Sequence, residues 1–237
     1  AAPETDMPLF QLVLLALVQG LTEFLPVSSS AHLILAPIAA GLEDQSPLID
    51  VMAHVGSLIA VLVYFWRDIA EITRGKLAWL SGRMTAGGRL ALLVGAATPP
   101  IIIAAGALYL TGQTELFRSP LVIGIATLVF AVPLWAADRF GRTSETTETL
   151  GFRQAFLIGL VQVFALIPGA SRSGVTMTAG RALGLTRKES ARFSMLMAIP
   201  VIAAFGLVAG LDLARGTDSS ASLTDGLIVA GLSFVSA

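Results

Sequence analysis

The chain has 237 residues, of which 55% are hydrophobic and only 13% are charged, and its formal net charge is −1. Soluble domains carry about 25% charged residues, so this composition indicates a membrane protein. The near-neutral charge excludes nucleic acid as a partner, because binding a run of phosphates requires an excess of basic side chains. The absence of cysteine excludes disulfides, thiolate metal sites and cysteine nucleophiles.

The apolar segments, taken in chain order, are of two kinds: runs interrupted by polar residues or proline, and continuous runs. The first six residues do not resemble a signal peptide, so we expect the natural chain to start at Met7. Residues 9–25 are apolar but broken by polar side chains, and residues 156–167 end at a Pro-Gly pair. Spanning a bilayer takes roughly 20 apolar residues. Four runs approach that length and a fifth reaches the chain end as an incomplete span: 51–66, 90–110, 121–137, 193–211 and 227–237.

The basic residues predict the orientation of these runs. Twelve of the fifteen Lys and Arg residues lie in the connections 67–89, 139–153 and 181–192. Cytoplasmic loops carry an excess of Lys and Arg, so we place these three connections in the cytoplasm. The segments 43–50, 111–119 and 212–226 are mainly acidic and fit the outer side.

This orientation predicts two re-entrant hairpins. Because residues 153 and 181 lie on the same side, the segment 154–180 must enter and leave the membrane by one face. Counting back from the span at 51–66, residues 9–42 must do the same on the opposite side. The chain is therefore expected to be an all-α, polytopic membrane protein with a single membrane domain, residues 1–237.

The two hairpins also resemble each other in sequence. Leu-Val-Gln at 17–19 is matched by Leu-Val-Gln at 160–162, and Pro26 and Pro168 follow at nearly equal distances. Each proline opens a serine-rich turn. Three spans lie between the copies, and an odd number inverts the second copy, as in inverted-topology repeats whose broken helices meet near the midplane. The first repeat covers residues 8–137, and the second, incomplete repeat covers residues 153–237.

Arg172 is the most informative residue of the second turn. A charged side chain inside the membrane costs ~2.5–3.5 kcal/mol on insertion scales, which indicates a function. The guanidinium suits bidentate binding of phosphate, although it could instead pair with Glu23 only to hold the two halves together. The neighbouring residues add hydroxyls or free the backbone N–H groups for an anion: Gly169, Ser171, Ser173, Gly174 and Thr176.

The first turn supplies acid–base groups and candidate nucleophiles. Gln19 and Glu23 lie on one helical face. Glu23 could act as a general base, as a ligand of a hard cation such as Mg²⁺ or Ca²⁺, or as the partner of Arg172. His32 is close enough to share a serine proton, whereas His54 is either structural or lines the cavity. The turn itself presents three hydroxyls, Ser28, Ser29 and Ser30.

Two motifs are similar to those of a known family. Residues 19–29, Gln-Gly-Leu-Thr-Glu-Phe-Leu-Pro-Val-Ser-Ser, and residues 168–176, Pro-Gly-Ala-Ser-Arg-Ser-Gly-Val-Thr, resemble the two signatures of the bacterial undecaprenyl-pyrophosphate phosphatases, also called bacitracin-resistance proteins. The resemblance implies hydrolysis of undecaprenyl pyrophosphate to the monophosphate carrier lipid used in cell-wall peptidoglycan synthesis. It also implies the bacterial inner membrane, an active site open to the periplasm, and a divalent cation, Mg²⁺ or Ca²⁺.

The resemblance also implies roles for individual residues. The family's essential arginine falls on Arg172, its nucleophile on Ser29 with Ser28 as the alternative, and its histidine on His32. The first motif begins with Gln19 where the family has Glu or Gln, which leaves Glu23 as the main acidic ligand or base, with Gln19 beside it in the metal site. The phosphate-binding set is Ser28, Ser171, Ser173, Gly174 and Thr176.

The predicted reaction is attack of Ser29 on the terminal phosphorus, with Glu23 or His32 accepting the proton and water then releasing phosphate. Direct attack by water is the less favoured variant. The alternative function is a transporter or flippase of a phosphate-bearing lipid or anion, because inverted repeats with broken helices are typical of transporters. The substrate is a polyprenyl pyrophosphate lipid within the membrane. The sequence leaves a homodimer open.

Overall fold

A computed structural model of the chain describes residues 7–43, 45–112, 118–214 and 222–237. The expectation about the first six residues therefore lies outside the described part. The described residues form helices and contain no β-strand, only an isolated bridge between Glu145 and Leu185. The helices are α1 Leu9–Thr22, α2 Ser29–Ala39, α3 Pro47–Tyr64, α4 Trp66–Leu80, α5 Ala86–Ala97, α6 Pro99–Thr111, α7 Pro120–Phe140, α8 Phe152–Gln162, α9 Arg172–Ala182, α10 Arg187–Ala214 and α11 Leu223–Ser236.

Four long apolar segments confirm an all-α, multi-pass membrane protein. They coincide with the four predicted spans and are Pro47–Tyr64, Ala86–Thr111, Pro120–Phe140 and Arg187–Asp212. Proline occupies the first turn of α3, α6 and α7, where its missing N–H leaves no hydrogen bond unmade. The second span consists of α5 and α6, which meet at Thr98 just before a Pro-Pro pair, a usual cause of a helix kink.

Two pairs of short helices stand where the re-entrant hairpins are predicted. α1 and α2 have 14 and 11 residues, and α8 and α9 have 11 residues each. At 1.5 Å per residue these helices are about 16–21 Å long, less than the ~30 Å hydrocarbon core. A 3₁₀ turn, Val163–Leu166, extends α8 towards its turn. That each hairpin enters and leaves the membrane by the same face stays a prediction.

The basic connection 67–89 is more ordered than the sequence analysis expects. It contains α4, a 15-residue helix with exposed Trp66, Leu77 and Leu80. α4 packs closely on α5, because a Cβ atom at Gly75 would lie 2.0 Å from the backbone nitrogen of Gly88. Analysis of continuous apolar runs passes over this helix because its apolar and charged residues are interleaved.

Two buried clusters hold the hairpins. The first joins α1 and α2 to α3 and α11 through Leu12, Leu15, Leu33, Ile49 and Val229. The second joins α8 and α9 to α5 and α10, and its residues include Leu93, Ile158, Ala179, Phe193 and Leu196. The second hairpin also packs against α7, so each hairpin contacts helices from both halves of the chain.

Candidate active site

The two serine-rich turns contact each other directly. The backbone N–H of Gly169 donates to Ser28 Oγ at 3.0 Å, and Ser173 Oγ donates to the Leu25 carbonyl oxygen at 2.8 Å. These bonds join residues about 140 positions apart in the chain. The predicted meeting of the turns is thus present in the structure, and any group held by one turn lies beside the other.

The two turns share one backbone feature, a serine with positive φ. Ser28 and Ser171 have φ values of 62° and 61°, the only positive φ angles outside glycine in the described residues. Each serine is the N-cap of the next helix: Ser28 Oγ accepts from Ala31 N at 3.4 Å and Ser171 Oγ from Gly174 N at 3.1 Å. Left-handed serines cost of order 1–3 kcal/mol each and are typically found at functional sites.

Glu23 lies at the centre of the site and is 5% exposed. Ser29 Oγ donates to its Oε2 atom at 2.6 Å, and Arg172 Nη2 donates to its Oε1 atom at 2.9 Å. Gln19 Nε2 donates to the same Oε2 atom at 3.0 Å and also to Ser57 Oγ. One carboxylate therefore bridges a hydroxyl from the first turn and a guanidinium from the second.

The contacts separate the two candidate nucleophiles. Ser28 Oγ caps α2 and joins the turns, and the residue is 2% exposed. Ser29 lines the cavity beside Glu23, with its hydroxyl hydrogen-bonded to the carboxylate. A nucleophile needs a neighbouring base and access to the substrate, so this geometry favours Ser29.

The predicted phosphate-binding residues do not all face the same space. Ser28, Ser171 and Ser173 line the cavity with Arg172. Gly174 N–H already donates to Ser171 Oγ. Thr176 Oγ1 bonds to the Arg172 carbonyl oxygen at 2.8 Å and to Ser194 Oγ at 2.7 Å, and its residue is 2% exposed. In these contacts Thr176 supports the helix that carries Arg172.

Arg172 is fixed from a second side by α10. Its Nη1 atom donates to the Ser194 carbonyl oxygen at 3.0 Å, while Nη2 binds Glu23. The sequence analysis did not identify Ser194, because a backbone acceptor leaves no pattern of side chains. The guanidinium still faces the cavity and can orient its remaining donors towards an anion.

Two histidines lie on different sides of the turns. His54 Nε2 is 3.5 Å from Glu23 Oε2, and its Nδ1–H donates to the Asp50 carbonyl oxygen at 2.7 Å. His32 Nδ1 bonds to the Ser28 carbonyl oxygen at 2.8 Å, and its ring lines a separate cavity. The role of His32 as a proton acceptor stays a prediction, and the histidine in contact with Glu23 is His54.

The site opens into a cavity of about 230 Å³. Its polar wall comes from both turns and from the first two turns of α3, where Asp50 and His54 lie. Its apolar wall is formed by Val51, Ile101, Leu166, Val201, Ile202 and Phe205. A charged wall beside an apolar wall suits a phosphorylated head group attached to a hydrocarbon chain.

The donor set fits a hard cation only together with further oxygen ligands. Among the described residues no group of three or more His, Asp or Glu side chains could hold a metal ion. Gln19 Oε1 is buried beside Glu23 and has no hydrogen-bond partner there. Mg²⁺ is usually held by one or two carboxylates plus substrate phosphates, so Glu23 and Gln19 fit a cation that binds with a phosphorylated ligand.

Comparison with known proteins gives matches across nearly the whole chain. Residues 12–237 match the family described as bacitracin resistance protein BacA. Proteins named undecaprenyl-diphosphatase match at 69% identity in Maricaulis maris, covering 98% of this chain and 87% of that protein. Proteins with the same name match at 50% identity in Ruegeria pomeroyi and 46% in Idiomarina loihiensis, each covering 98% of this chain and 86% or 87% of the relative.

Proposed function

The chain belongs to the bacitracin resistance protein BacA family, and we infer from this membership that it is an undecaprenyl-diphosphatase. It is a multi-pass membrane hydrolase whose substrate is a polyprenyl diphosphate lipid. The observation that supports the chemistry best is the contact of one buried carboxylate, Glu23, with Ser29 on one side and Arg172 on the other. Nucleophile, base and anion-binding group are thus adjacent.

In the proposed reaction Ser29 Oγ attacks the terminal phosphorus. Its proton passes to Glu23 Oε2, the acceptor at 2.6 Å, as the new O–P bond forms. The bond between that phosphorus and the bridging oxygen breaks, and the lipid leaves as its monophosphate. Water then attacks the phosphoserine, which returns the Ser29 hydroxyl and releases inorganic phosphate. Arg172 stabilises the charge on the non-bridging oxygens in both steps.

We propose a divalent cation, Mg²⁺ or Ca²⁺, as cofactor. Glu23 would hold it, together with the Gln19 carbonyl oxygen that is buried without a hydrogen-bond partner. When bound, the cation would neutralise charge on the phosphate oxygens. Arg172 binds the same carboxylate, so the protein itself contributes orientation and positive charge at this point.

We also propose that the protein lies in the bacterial inner membrane with its site open to the periplasm. The cavity is lined by the first turns of α3 and by residues 201–205 of α10. α3 begins, and α10 ends, next to the acid-rich segments assigned to the outer side, whereas the basic connections lie at the other ends of these helices. The homodimer remains a prediction.

A transporter would also be consistent with the two similar hairpins, but the comparisons with known proteins do not support that function. Relatives across the chain are named as diphosphatases, which favours hydrolysis. The two functions separate in one assay, because only a phosphatase releases inorganic phosphate from a polyprenyl diphosphate in detergent solution.

The decisive variant is Ser29→Ala. Losing the nucleophile should lower kcat by about three orders of magnitude or more, since Ser29 carries the hydroxyl that is hydrogen-bonded to the Glu23 base. Ser30→Ala is the matched control, because Ser30 lies in the same turn and its hydroxyl contacts only the Ser28 hydroxyl among the described side chains. Phosphate release would be measured on both, and acid-quenched wild-type enzyme should contain phosphoserine at residue 29. A Ser29→Ala enzyme with near-normal turnover would exclude the serine mechanism in favour of direct attack by water.

A further inference from the structure

A second acidic residue faces the catalytic cavity. Asp50, in the first turn of α3, lines the cavity together with Glu23. Its Oδ2 atom accepts from Arg118 Nη1 at 2.9 Å, and its Oδ1 atom accepts from Gln45 Nε2. The side chains of Asp50 and Arg118 are 15% and 16% exposed, so the pair is mostly shielded from solvent.

The wall of the cavity therefore contains two carboxylates, each paired with an arginine from a distant part of the chain. Glu23 is paired with Arg172, which itself lines the cavity. Asp50 is paired with Arg118, 68 residues later in the chain and just before α7. The first pair takes part in the proposed chemistry. The second has no role in that reaction, although its carboxylate faces the same space.

We propose that Arg118 is a specificity-determining residue that neutralises Asp50 and so allows a diphosphate head group to enter the cavity. The inference rests on the proposed function and adds to it the residue that sets the preferred charge of the substrate. Arg118 acts through Asp50 and needs no contact with the reacting atoms.

The electrostatic reason is the low dielectric of the site. A carboxylate that faces a membrane-embedded cavity without a counter-charge repels an incoming anion far more strongly than it would in water. A diphosphate carries more negative charge than a monophosphate, so it gains more from neutralisation of Asp50. Removal of Arg118 should thus weaken binding of the substrate more than binding of released phosphate.

The hydrogen bonds around Asp50 hold its carboxylate in position. Gln45 Nε2 donates to Asp50 Oδ1 and also to the Leu33 carbonyl oxygen of α2, at 3.1 Å. The Asp50 carbonyl oxygen accepts from His54. Since these contacts do not depend on Arg118, its loss leaves the carboxylate where it is and changes mainly the balance of charge.

The test compares single and double variants of the full chain in detergent, with polyprenyl diphosphate as substrate. Arg118→Gln should raise KM about tenfold and leave kcat within about twofold, because ground-state entry is affected and not the chemical step. Adding Asp50→Asn to that variant should return KM to within about threefold of wild type, since the carboxylate that Arg118 neutralises is then removed as well. Arg118→Lys, which keeps the charge, should have nearly the wild-type KM.

Two binding measurements test the same inference without depending on protein yield or on turnover. Binding of inorganic pyrophosphate and inorganic phosphate, followed by calorimetry, should weaken in Arg118→Gln, and more for pyrophosphate. Arg187→Gln is the matched control, because it breaks an exposed pair with Asp138 at 2.7 Å that lies away from the catalytic cavity. Its KM should not change.

Unchanged KM and pyrophosphate affinity in Arg118→Gln would overturn the inference, as would a double variant that binds no better than Arg118→Gln. Failure of the proposed function has a different signature: wild-type protein would release no phosphate from the lipid. In that case the affinity of Arg118→Gln for pyrophosphate would still show whether Arg118 affects the binding of a diphosphate.

Discussion

The first and second turns have nearly the same backbone and different chemistry. In each, a left-handed serine caps the following helix, Ser28 in the first turn and Ser171 in the second. The next residue differs: Ser29 in the first turn, Arg172 in the second. Both of these side chains bind Glu23, one at each carboxylate oxygen. Corresponding positions of the two turns thus supply a hydroxyl from one turn and a guanidinium from the other.

The helices that precede the turns differ in the same way. Gln19 and Gln162 are equivalent in the two copies, but four residues later the first copy has Glu23 and the second has Leu166. Gln19 consequently has a carboxylate and Ser57 as partners, whereas both amide atoms of Gln162 lack a hydrogen-bond partner among the described residues. The comparison teaches that two turns with matching capping serines carry different side chains, and that these differences make one asymmetric site.

The largest effect is expected at Arg172, where the second turn has a guanidinium in place of the hydroxyl of the first turn. Arg172→Lys should lower kcat/KM by about 10²–10³, because a compact ammonium group lacks the planar fork that binds Glu23 and the Ser194 carbonyl oxygen and still presents donors to a phosphate. Steady-state hydrolysis of polyprenyl diphosphate measures it, with Arg187→Lys as control. Near-wild-type rates in Arg172→Lys would mean that charge alone suffices and that the difference between the turns is not catalytic.

A smaller effect should distinguish the two capping serines. Glycine tolerates positive φ and replaces an N-cap serine at a cost of only a few tenths of a kcal/mol. Ser28→Gly should nevertheless destabilise the protein by about 1–2 kcal/mol, because the buried Gly169 N–H loses its acceptor.

Ser171→Gly is the matched variant and should change stability by less than about 0.5 kcal/mol, since the bonds of Ser171 Oγ, to the Gly174 N–H and the Ser173 hydroxyl, lie within its own helix start. Thermal unfolding in detergent would compare the two. Equal losses would show that the serines serve the caps alone and that the bond between the turns contributes little.

The smallest effect is expected at Gln162, the buried glutamine whose amide has no hydrogen-bond partner among the described residues. Gln162 is fully buried, and an unpaired buried amide is costly, so Gln162→Leu should raise stability by about 1 kcal/mol and leave activity unchanged. Gln19→Leu removes the donor to Glu23 and should lower activity instead. Chemical unfolding would measure the stability of each variant, and phosphate release would measure its activity. Loss of stability in Gln162→Leu would reveal a hydrogen-bonded water at that amide.

Much of this arrangement can be predicted from the sequence because its signals are local. Apolar runs predict the four spans, and the matched Leu-Val-Gln and Pro-Ser segments predict that two turns meet. The spacing of Gln19 and Glu23 places them on one helical face, and an arginine in an apolar segment has to find an anionic partner. Glu23, Ser29 and Arg172 are accordingly found together.

The remaining features depend on packing between segments far apart in the chain. His54 reaches Glu23 only because α3 packs against the first hairpin, and no motif around His54 in the sequence predicts that contact. Asp50 and Arg118 look like ordinary loop-proximal charges until they are seen as a pair. α4 is missed because an apolar-run criterion does not detect a helix with interleaved charges.

The bond between Gly169 and Ser28 has a consequence for biosynthesis. When translation has delivered only the N-terminal half, the ribosome has released the nucleophile and its carboxylate into the bilayer without their guanidinium. Such a nascent intermediate is chemically inert, and competence to cleave appears only after the downstream hairpin has docked. Insertion errors in the later half should therefore abolish turnover, and they also remove α11, against which the first hairpin packs.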